Sequence, residues 1–287
     1  MPSLVITIPW DPVYQLGPLP LHWYGVGYAV GIAVGWMVGT RHLQSRGIRE
    51  NQLGALGVWA VIIGLVSGRL YYVVQSGLGY YLTHPVHIFA FWEGGMAFYG
   101  AVFAVPITIA VFCRRLQLPL WTVLDGAALF AAIGQVIGRI GNIINGDIVG
   151  YASNLPWAVR YTNPHSLAPV RGVAYQPAAA YELIFSLALF GFLVWLGTRR
   201  PRSGTLIILY VGLYAIGQFL VFFLRDNIVI AFGLKQAQLT SLAVLVVGVP
   251  LLVLLRQRWP HVWVPNAADP GGSQHVASSH EVERGIL

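Results

Sequence analysis

Seven apolar segments, each about as long as a membrane-spanning helix, dominate the sequence. A helix needs about 20 mostly apolar residues to cross the hydrocarbon core of a bilayer. Apolar residues make up 56% of the 287 residues and charged residues only 9%, whereas a soluble domain carries about 25% charged residues. We therefore expect an all-α integral membrane protein with a membrane domain at 22–255. Its seven transmembrane helices are predicted at approximately 22–40, 53–75, 95–113, 121–144, 177–197, 204–224 and 237–255.

The basic residues are distributed unevenly between the two sides of the predicted spans. Eleven of the 17 follow spans 1, 3, 5 and 7, whereas the loops on the opposite side hold Arg160, Arg171 and Lys235. Because cytoplasmic loops carry the excess of Lys and Arg, the N-terminus is predicted outside and the C-terminus inside. The net charge of +7 does not indicate nucleic-acid binding, because the basic residues form small clusters between apolar runs instead of one patch.

The segments outside the spans have distinct compositions. Residues 1–21 are predicted to be an outer N-terminal segment, and the aromatic-rich loop at 76–94 to be an interfacial helix at the headgroup level. The longest loop, at 145–176, is predicted to form a small outer cap with a short strand at 157–161. Residues 256–287 end in a stretch rich in Pro, Gly, Ser and Asn, which is typical of a disordered tail.

Three arginines, Arg69, Arg139 and Arg225, lie in the predicted spans or at their ends. Charges at such positions are costly and are usually functional. Counted along spans 2, 4 and 6, all three lie near the outer face, where the positive-inside rule disfavours them. One interpretation is that they reach the outer headgroups or pair with Glu182 and Asp147. The other is an anion site in the outer leaflet, where a phospholipid phosphate is the obvious anion and the guanidinium fork suits it.

The densest polar cluster is the stretch Gly-Arg-Ile-Gly-Asn-Ile-Ile-Asn-Gly-Asp at 138–147. On a helix, Gln135, Arg139 and Asn142 fall on one face, at spacings of four and seven residues. Gly134 and Gly138 form a small-xxx-small pair that permits close helix packing. The spacing alone leaves open a packing helix with one hydrogen-bonding face.

This stretch resembles the signature of the bacterial prolipoprotein diacylglyceryl transferase family. Four further segments resemble the family in the family's order, and the resemblance covers residues 9 to about 255. They are Leu-His-Trp-Tyr-Gly at 21–25, Trp-Glu-Gly-Gly-Met-Ala-Phe at 92–98, Gln176-Pro177 with Tyr-Glu-Leu at 181–183, and Phe-Phe-Leu-Arg at 222–225.

The resemblance implies a seven-span enzyme of the bacterial inner membrane with its active site toward the periplasm. Such an enzyme moves the diacylglyceryl group of phosphatidylglycerol to the lipobox cysteine of a prolipoprotein signal peptide. The products are a thioether-linked lipid and glycerol phosphate. The bilayer, phosphatidylglycerol and the prolipoprotein are the expected partners, and neither a cofactor nor a metal is expected.

The resemblance also implies site residues. Five of the family's essential positions match this chain, at Tyr24, Arg139, Asn142, Gly150 and Arg225. Asp147 stands where the family usually has glutamate, and Tyr99 where it commonly has histidine. We expect Arg139, Arg225, Tyr24 and Tyr99 to be catalytic, and Arg139, Asn142, Asp147, Gly150, Arg69 and Glu182 to bind substrate.

The chemistry is feasible without a histidine at position 99. A thiol is already a few per cent thiolate at neutral pH, and a nearby cation increases that fraction. Arginines can stabilise both this thiolate and the departing phosphate. Tyr24 is expected to donate a hydrogen bond to a lipid oxygen, although an aromatic-belt role is the alternative. His22 is a second candidate for the base.

Other classes of membrane protein fit the sequence less well. A retinal protein needs a lysine deep in span 7, but Lys235 is the only lysine and precedes that span. A transporter site lies near the midplane, and these polar residues lie further out. With Cys113 as the only cysteine, disulfides and CxxC redox chemistry are excluded. A lipid-binding or scaffold protein remains the alternative to an enzyme.

Overall fold

A computed structural model of the chain describes residues 5–17, 19–90 and 95–259. The helices α1 to α9 within these ranges account for every predicted span. They are α1 Trp23–Ser45, α2 Glu50–Gln75, α3 Leu78–Thr83, α4 Phe98–Leu116, α5 Leu120–Asn145, α6 Ala178–Thr198, α7 Thr205–Val221, α8 Gln236–Ala243 and α9 Val249–Arg258. A π-helical turn, Val244–Gly248, joins α8 and α9 into one helix.

Five helices among the described residues are long and apolar enough to cross a membrane: α2, α4 from Tyr99 onward, α5, α6 and the continuous helix Gln236–Arg258. The chain is therefore a membrane protein. Of the other two predicted spans, α7 is apolar but has only 17 residues, and α1 has 23 residues but is less apolar. Seven crossings and the orientation remain predictions.

The central helix of the bundle is α5. Half of its apolar window is buried, compared with 11–28% in the other four spans. Helix α1 packs along it through glycines spaced four residues apart, Gly27, Gly31, Gly35 and Gly39. At Gly35 a Cβ atom would lie 2.8 Å from the ring of Phe130, so only glycine permits this approach. The glycine stripe also explains why α1 is less apolar than its neighbours.

Asp125, near the start of α5, joins α5 to α7 at the end of the bundle away from the 138–147 stretch. Its carboxylate accepts hydrogen bonds from the backbone N–H groups of Gly204, at 2.7 Å, and Ile207, at 3.0 Å. These N–H groups belong to the first turn of α7, where a helix leaves donors without intrahelical partners. The buried Asp125 thereby sets α7 against α5.

The predicted cap is a small sheet over the end of the bundle where α5 ends and α6 begins. Its central strand, β4 Val159–Tyr161, confirms the strand predicted at 157–161. Strand β4 pairs antiparallel with β5 Ala174–Tyr175 and parallel with β1 Ile6–Ile8. The N-terminal segment, predicted as separate, thus contributes a strand to the cap. It continues through the hairpin of β2 Val13–Leu16 and β3 Leu19–His22 into α1.

Tyr161 fastens the cap to the bundle. Its hydroxyl donates a 3.0 Å hydrogen bond to the carbonyl of Ile143 in the last turn of α5. Burial, together with the nearby charge of Asp147, raises the pKa of Tyr161 to about 12. The cap therefore sits directly on the helix that carries the 138–147 stretch.

Two predicted segments differ from the structure at their boundaries. The aromatic loop at 76–94 forms α3 and a 3₁₀ turn at Pro85–Ile88, while Phe91 and Trp92 lie outside the described residues. The predicted tail at 256–287 begins inside α9, which runs to Arg258, and residues 260–287 lie outside the described ranges. A last hairpin, β6 Val229–Ala231 and β7 Leu234–Lys235, links α7 to α8.

Candidate active site at the capped end of the bundle

A fully buried carboxylate, Glu182, lies in the first turns of α6 beside the cap. Its Oε2 atom lies 2.5 Å from Nη2 of Arg139, and its Oε1 atom accepts a 3.2 Å hydrogen bond from Nη1 of Arg225. Gln218 on α7 donates a third, 3.1 Å hydrogen bond to Oε2. We call these four residues the Glu182 cluster. It brings together α5, α6 and the end of α7.

The side chains of the 138–147 stretch extend this cluster toward the cap. Arg139 donates from Nη1 to Oδ1 of Asn142 at 3.2 Å. The amide of Asn142 in turn donates to both carboxylate oxygens of Asp147, at 3.2 and 3.0 Å. Because Asn142 is buried and its carbonyl and amide are both used, its orientation is fixed between the arginine and the aspartate. Arg139 and Asn142, which were predicted to share a helix face, therefore belong to one connected network.

Glu182 pairs directly with both arginines of the Glu182 cluster, and Asp147 is joined to Arg139 through Asn142. Two guanidinium groups, with side chains only 13% and 14% exposed, share one carboxylate. The Nε atoms of both Arg139 and Arg225 are buried and have no hydrogen-bond partner among the described residues. A buried donor without an acceptor is costly, typically by 1–3 kcal/mol. The arrangement suits an anion that accepts from both arginines.

Tyr24, at the start of α1, lies against this network. Its ring packs on Gly141 of α5, where a Cβ atom would lie 3.5 Å from the Tyr24 ring. Its hydroxyl is 2.5 Å from the hydroxyl of Tyr28, and it interacts electrostatically with Asp147 and Arg139. The half-buried Tyr24 thus lies beside the predicted site, in contact with Gly141 of α5 and with Tyr28 of its own helix.

Gly150 has a geometric role in the observed structure. It forms an antiparallel bridge with Arg225, and the neighbouring Tyr151 N–H donates to the carbonyl of Leu224 at 3.2 Å. A Cβ atom at Gly150 would lie 2.4 Å from that carbonyl oxygen. Glycine therefore lets the cap approach the end of α7 and hold the backbone of Arg225. Substrate binding by Gly150 stays a prediction.

Arg69 binds a different part of the molecule. It is 2% exposed, and its guanidinium donates to the backbone carbonyls of Ile88 at 3.0 Å, Gly95 at 2.9 Å and His87 at 2.5 Å. It also lies over the ring of Tyr72. Through these contacts Arg69 joins α2 to the backbone on both sides of residues 91–94. Substrate binding by Arg69 stays a prediction.

Tyr99 lies at the start of α4, and its described contacts are with α2 and α8. Its hydroxyl is 3.5 Å from Oγ1 of Thr240, and its ring centroid is 6.2 Å from that of Tyr71. The structure thus brings Arg139, Arg225, Asn142, Asp147, Glu182, Gly150 and Tyr24 together. It places Arg69 and Tyr99 in contact with other elements.

Four contributors were missed from the sequence: Gln218, Tyr214, Tyr151 and Lys235. Gln218 donates to Glu182, and Tyr214, half-buried on α7, interacts with Arg139. A signal for both was present, since Tyr214 and Gln218 are four residues apart in a helix that is otherwise almost entirely apolar. The contacts of Tyr151 and Lys235 join loops far apart in sequence, and no local pattern indicates them.

A family model and individual relatives of known name both match this chain, and they point to the same family. Residues 12–254 match the family model described as prolipoprotein diacylglyceryl transferase. The chain is 34% identical over 258 residues to the phosphatidylglycerol–prolipoprotein diacylglyceryl transferase of Bordetella avium, covering 87% of this chain and 96% of that protein. It is 32% identical to the enzyme of the same name from Shouchella clausii (91% and 96% covered) and 31% identical to that of Synechococcus elongatus (88% and 89% covered). The chain belongs to the prolipoprotein diacylglyceryl transferase family.

Proposed function

We propose that this chain transfers the diacylglyceryl group of phosphatidylglycerol to the lipobox cysteine of prolipoproteins, and that the Glu182 cluster is the site of transfer. A C–S bond forms as the C–O bond between the diacylglyceryl group and the phosphate breaks. Glycerol phosphate leaves with the electron pair of that bond, and the thiol releases its proton to the solvent. This is the first step of bacterial lipoprotein maturation.

One observation carries the assignment of the site. Arg139 and Arg225 come from different parts of the fold, share the single carboxylate of Glu182, and each keep a buried Nε donor without a partner in the described part of the chain. Donors fixed before the reaction stabilise developing charge without reorganisation. The leaving phosphate gains negative charge as the C–O bond breaks, so it is the group these donors would stabilise. The same positive field would favour the thiolate over the thiol.

Glu182 has a supporting role in this mechanism. A carboxylate that binds both guanidinium groups fixes their separation and prevents them from turning toward solvent. Because Glu182 is fully buried and already accepts three hydrogen bonds, we assign it to holding the arginines in place. Asn142 has the corresponding role on the other side of Arg139.

The proposed location follows from the predicted orientation. The Glu182 cluster lies where α5 and α7 end and α6 begins. With the N-terminus outside, seven crossings place this end of the bundle and the cap at the periplasmic side of the inner membrane. Phosphatidylglycerol would then enter from the outer leaflet, and the prolipoprotein signal peptide from the bilayer beside it.

The test is transfer by the purified protein. Phosphatidylglycerol with a labelled acyl chain and a lipobox peptide are incubated with the protein in detergent micelles, and the labelled peptide is identified by mass. A peptide with serine in place of the lipobox cysteine is the control. Arg139→Ala is expected to lower the rate by about 100- to 1000-fold, as is typical when a charge-stabilising donor is removed. Arg139→Lys should rescue poorly, because an ammonium cannot replace the guanidinium fork.

Arg171→Ala provides a matched control, since it removes one positive charge from the exposed surface of the cap. It should transfer at the wild-type rate. Binding of phosphatidylglycerol without labelled peptide in the wild type would instead favour the lipid-binding alternative. Near-normal transfer by Arg139→Ala would remove the arginine from the mechanism.

A further inference from the structure

The only lysine of the chain, Lys235, is buried at the base of the hairpin between α7 and α8, with 5% of its surface exposed. Its Nζ atom donates to the backbone carbonyls of Arg225 and of Phe222, the latter at 2.6 Å. It also donates to the hydroxyl of Tyr151 at 3.0 Å and lies 4.9 Å from the centre of that ring. A lysine thus reaches the backbone of an arginine of the Glu182 cluster.

The hydrogen bonds of Lys235 leave it no free donor. An ammonium group has three N–H donors and no acceptor, and the two carbonyls and the Tyr151 hydroxyl use all three. Lys235 therefore has no donor left for a lipid phosphate and no lone pair to act as a base. Its hydrogen bonds hold two backbone carbonyls and one hydroxyl in place.

The carbonyls that Lys235 binds lie just beyond the end of α7. The helix stops at Val221, and Phe222 and Arg225 belong to the segment that follows it. A cation at this position is also favoured by the helix dipole. Gln238, one turn into α8, assists from the same side by donating to the carbonyl of Phe219 at 3.2 Å, while its Oε1 accepts from the N–H of Lys235 at 3.0 Å. The start of α8 therefore caps the end of α7.

The backbone of Arg225 is consequently fixed from two directions. Gly150 pairs with it from the cap, and Lys235 binds its carbonyl from the base of the hairpin. Its guanidinium lies 4.5 Å from the centre of the Phe222 ring and reaches Glu182. Without the lysine, residues 222–225 would keep the helix-ending turn but lose their anchor to α8.

We propose that Lys235 is a positioning residue for Arg225, holding its backbone so that the guanidinium stays at the leaving phosphate. This inference rests on the proposed function of the Glu182 cluster. Since Arg225 would act on charge that develops in the transition state, losing its position should lower kcat and leave KM for phosphatidylglycerol nearly unchanged.

The experiment compares Lys235→Met with Gln238→Met in the full chain. Methionine keeps much of the length of either side chain but removes the hydrogen bonds, and Gln238, 1% exposed, serves the same helix end without contacting Arg225. Lys235→Met should lower kcat by about 10- to 100-fold, the usual effect of losing a hydrogen bond to a charged group. Gln238→Met should leave kcat within about threefold, although both variants melt at lower temperature because each loses a helix cap.

A double-mutant cycle separates positioning from general destabilisation. In an Arg225→Lys background the guanidinium is gone, so Lys235→Met should cost little further activity, whereas independent effects would multiply. If Lys235→Met does not insert, Lys235→Gln, which keeps a donor for the carbonyls, takes its place in the cycle. Equal loss of kcat in Lys235→Met and Gln238→Met, or multiplicative losses in the cycle, would overturn the proposal. Failure of the wild type to transfer lipid would instead overturn the proposed function.

Discussion

Arg139 and Glu182 form a buried ion pair between the two helices, α5 and α6, that flank the cap, with Nη2 and Oε2 separated by 2.5 Å. Arg225 shares the same carboxylate. Two buried cations that share one carboxylate make Glu182 the member of the cluster most sensitive to substitution, because removing it leaves both arginines without their ion-pair partner.

We predict that Glu182→Leu lowers both the melting temperature and the transfer rate. Breaking a buried pair by deleting one partner typically costs 3–5 kcal/mol, since an uncompensated charge stays buried. Glu182→Gln keeps an acceptor for the arginines but no charge, and should fall between Glu182→Leu and the wild type. Unfolding is followed by tryptophan fluorescence in detergent.

Ser186 supplies the matched control for Glu182. It lies one turn further along α6, is 2% exposed, and its hydroxyl has no hydrogen-bond partner among the described residues. Ser186→Ala should therefore leave the melting temperature unchanged or raise it. Equal melting temperatures for Glu182→Leu and the wild type would mean that the ion pairs do not hold the three helices together.

The absence of a side chain at Gly150 allows the cap to approach the end of α7, and this contact can be tested by substitution. Gly150→Ala should lower kcat by about 100-fold, the scale expected when a reacting group is misplaced by about 1 Å. The reason is that the new Cβ atom would lie 2.4 Å from the Leu224 carbonyl oxygen and force the end of α7 away from the cap. Rates are measured with phosphatidylglycerol and a lipobox peptide.

Gly191→Ala serves as the control for this substitution. Gly191 lies inside α6, and a Cβ atom there would have no neighbour within 4 Å. Alanine in a helix interior is favoured over glycine by about 1 kcal/mol, so this variant should be at least as stable as the wild type and equally active. Wild-type kcat in Gly150→Ala would show that the cap tolerates a shift of α7.

Much of the bundle could be predicted from the sequence, because spans are specified by local hydropathy. The boundaries were less predictable where tertiary contacts decide them. Span 6 was predicted to run to residue 224, but α7 ends at Val221, since the Leu224 carbonyl accepts from Tyr151 of the cap instead of continuing the helix. The parallel pairing of Ile6–Ile8 with β4 joins segments about 150 residues apart, and no local pattern specifies that partner.

For the candidate site, too, only some of the contacts could be predicted from the sequence. The common helix face of Arg139 and Asn142 follows from helix periodicity, and the structure joins the two by a hydrogen bond. The bonds from Asn142 to Asp147, which lies beyond the end of α5, were not indicated by this spacing. Pairing with Glu182 was part of one of two open interpretations, and the structure shows it for Arg139 and Arg225. The backbone contacts of Arg69 could not be inferred, because carbonyl acceptors occur at every residue and leave no mark in the sequence.

The orientation gives a prediction that is independent of the chemistry. A reporter that is active only outside the cytoplasm should be active when fused after residue 90 and silent when fused after residue 202. Arg199, Arg200 and Arg202 form one of the basic clusters that the positive-inside rule keeps in the cytoplasm. The reverse pattern would place the Glu182 cluster at the cytoplasmic face and contradict the proposed periplasmic site.

Tyr99 gives the sharpest test of the mechanism, because the family commonly has histidine at this position. A phenol hydroxyl is a poor general base, so we predict that Tyr99 positions the lipid by donating a hydrogen bond. Losing such a bond to a charged partner costs about 1.5–3 kcal/mol, or roughly 10- to 100-fold in rate. Tyr99→Phe should therefore be slow but measurably active, and Tyr99→His should work well. Transfer rates of the purified variants are compared between pH 6 and 10.

Thr240 is the matched control, since its Oγ1 atom lies 3.5 Å from the Tyr99 hydroxyl. If the hydroxyl serves only to join α4 to α8, Thr240→Val removes the same contact and should be as slow as Tyr99→Phe. If the hydroxyl binds lipid, Thr240→Val should stay near the wild-type rate while Tyr99→Phe is slow. A wild-type rate in Tyr99→Phe would mean that the hydroxyl has no role. Loss of all activity at every pH would mean that Tyr99 does more than position the lipid, and that two arginines held by Glu182 are not sufficient for the chemistry.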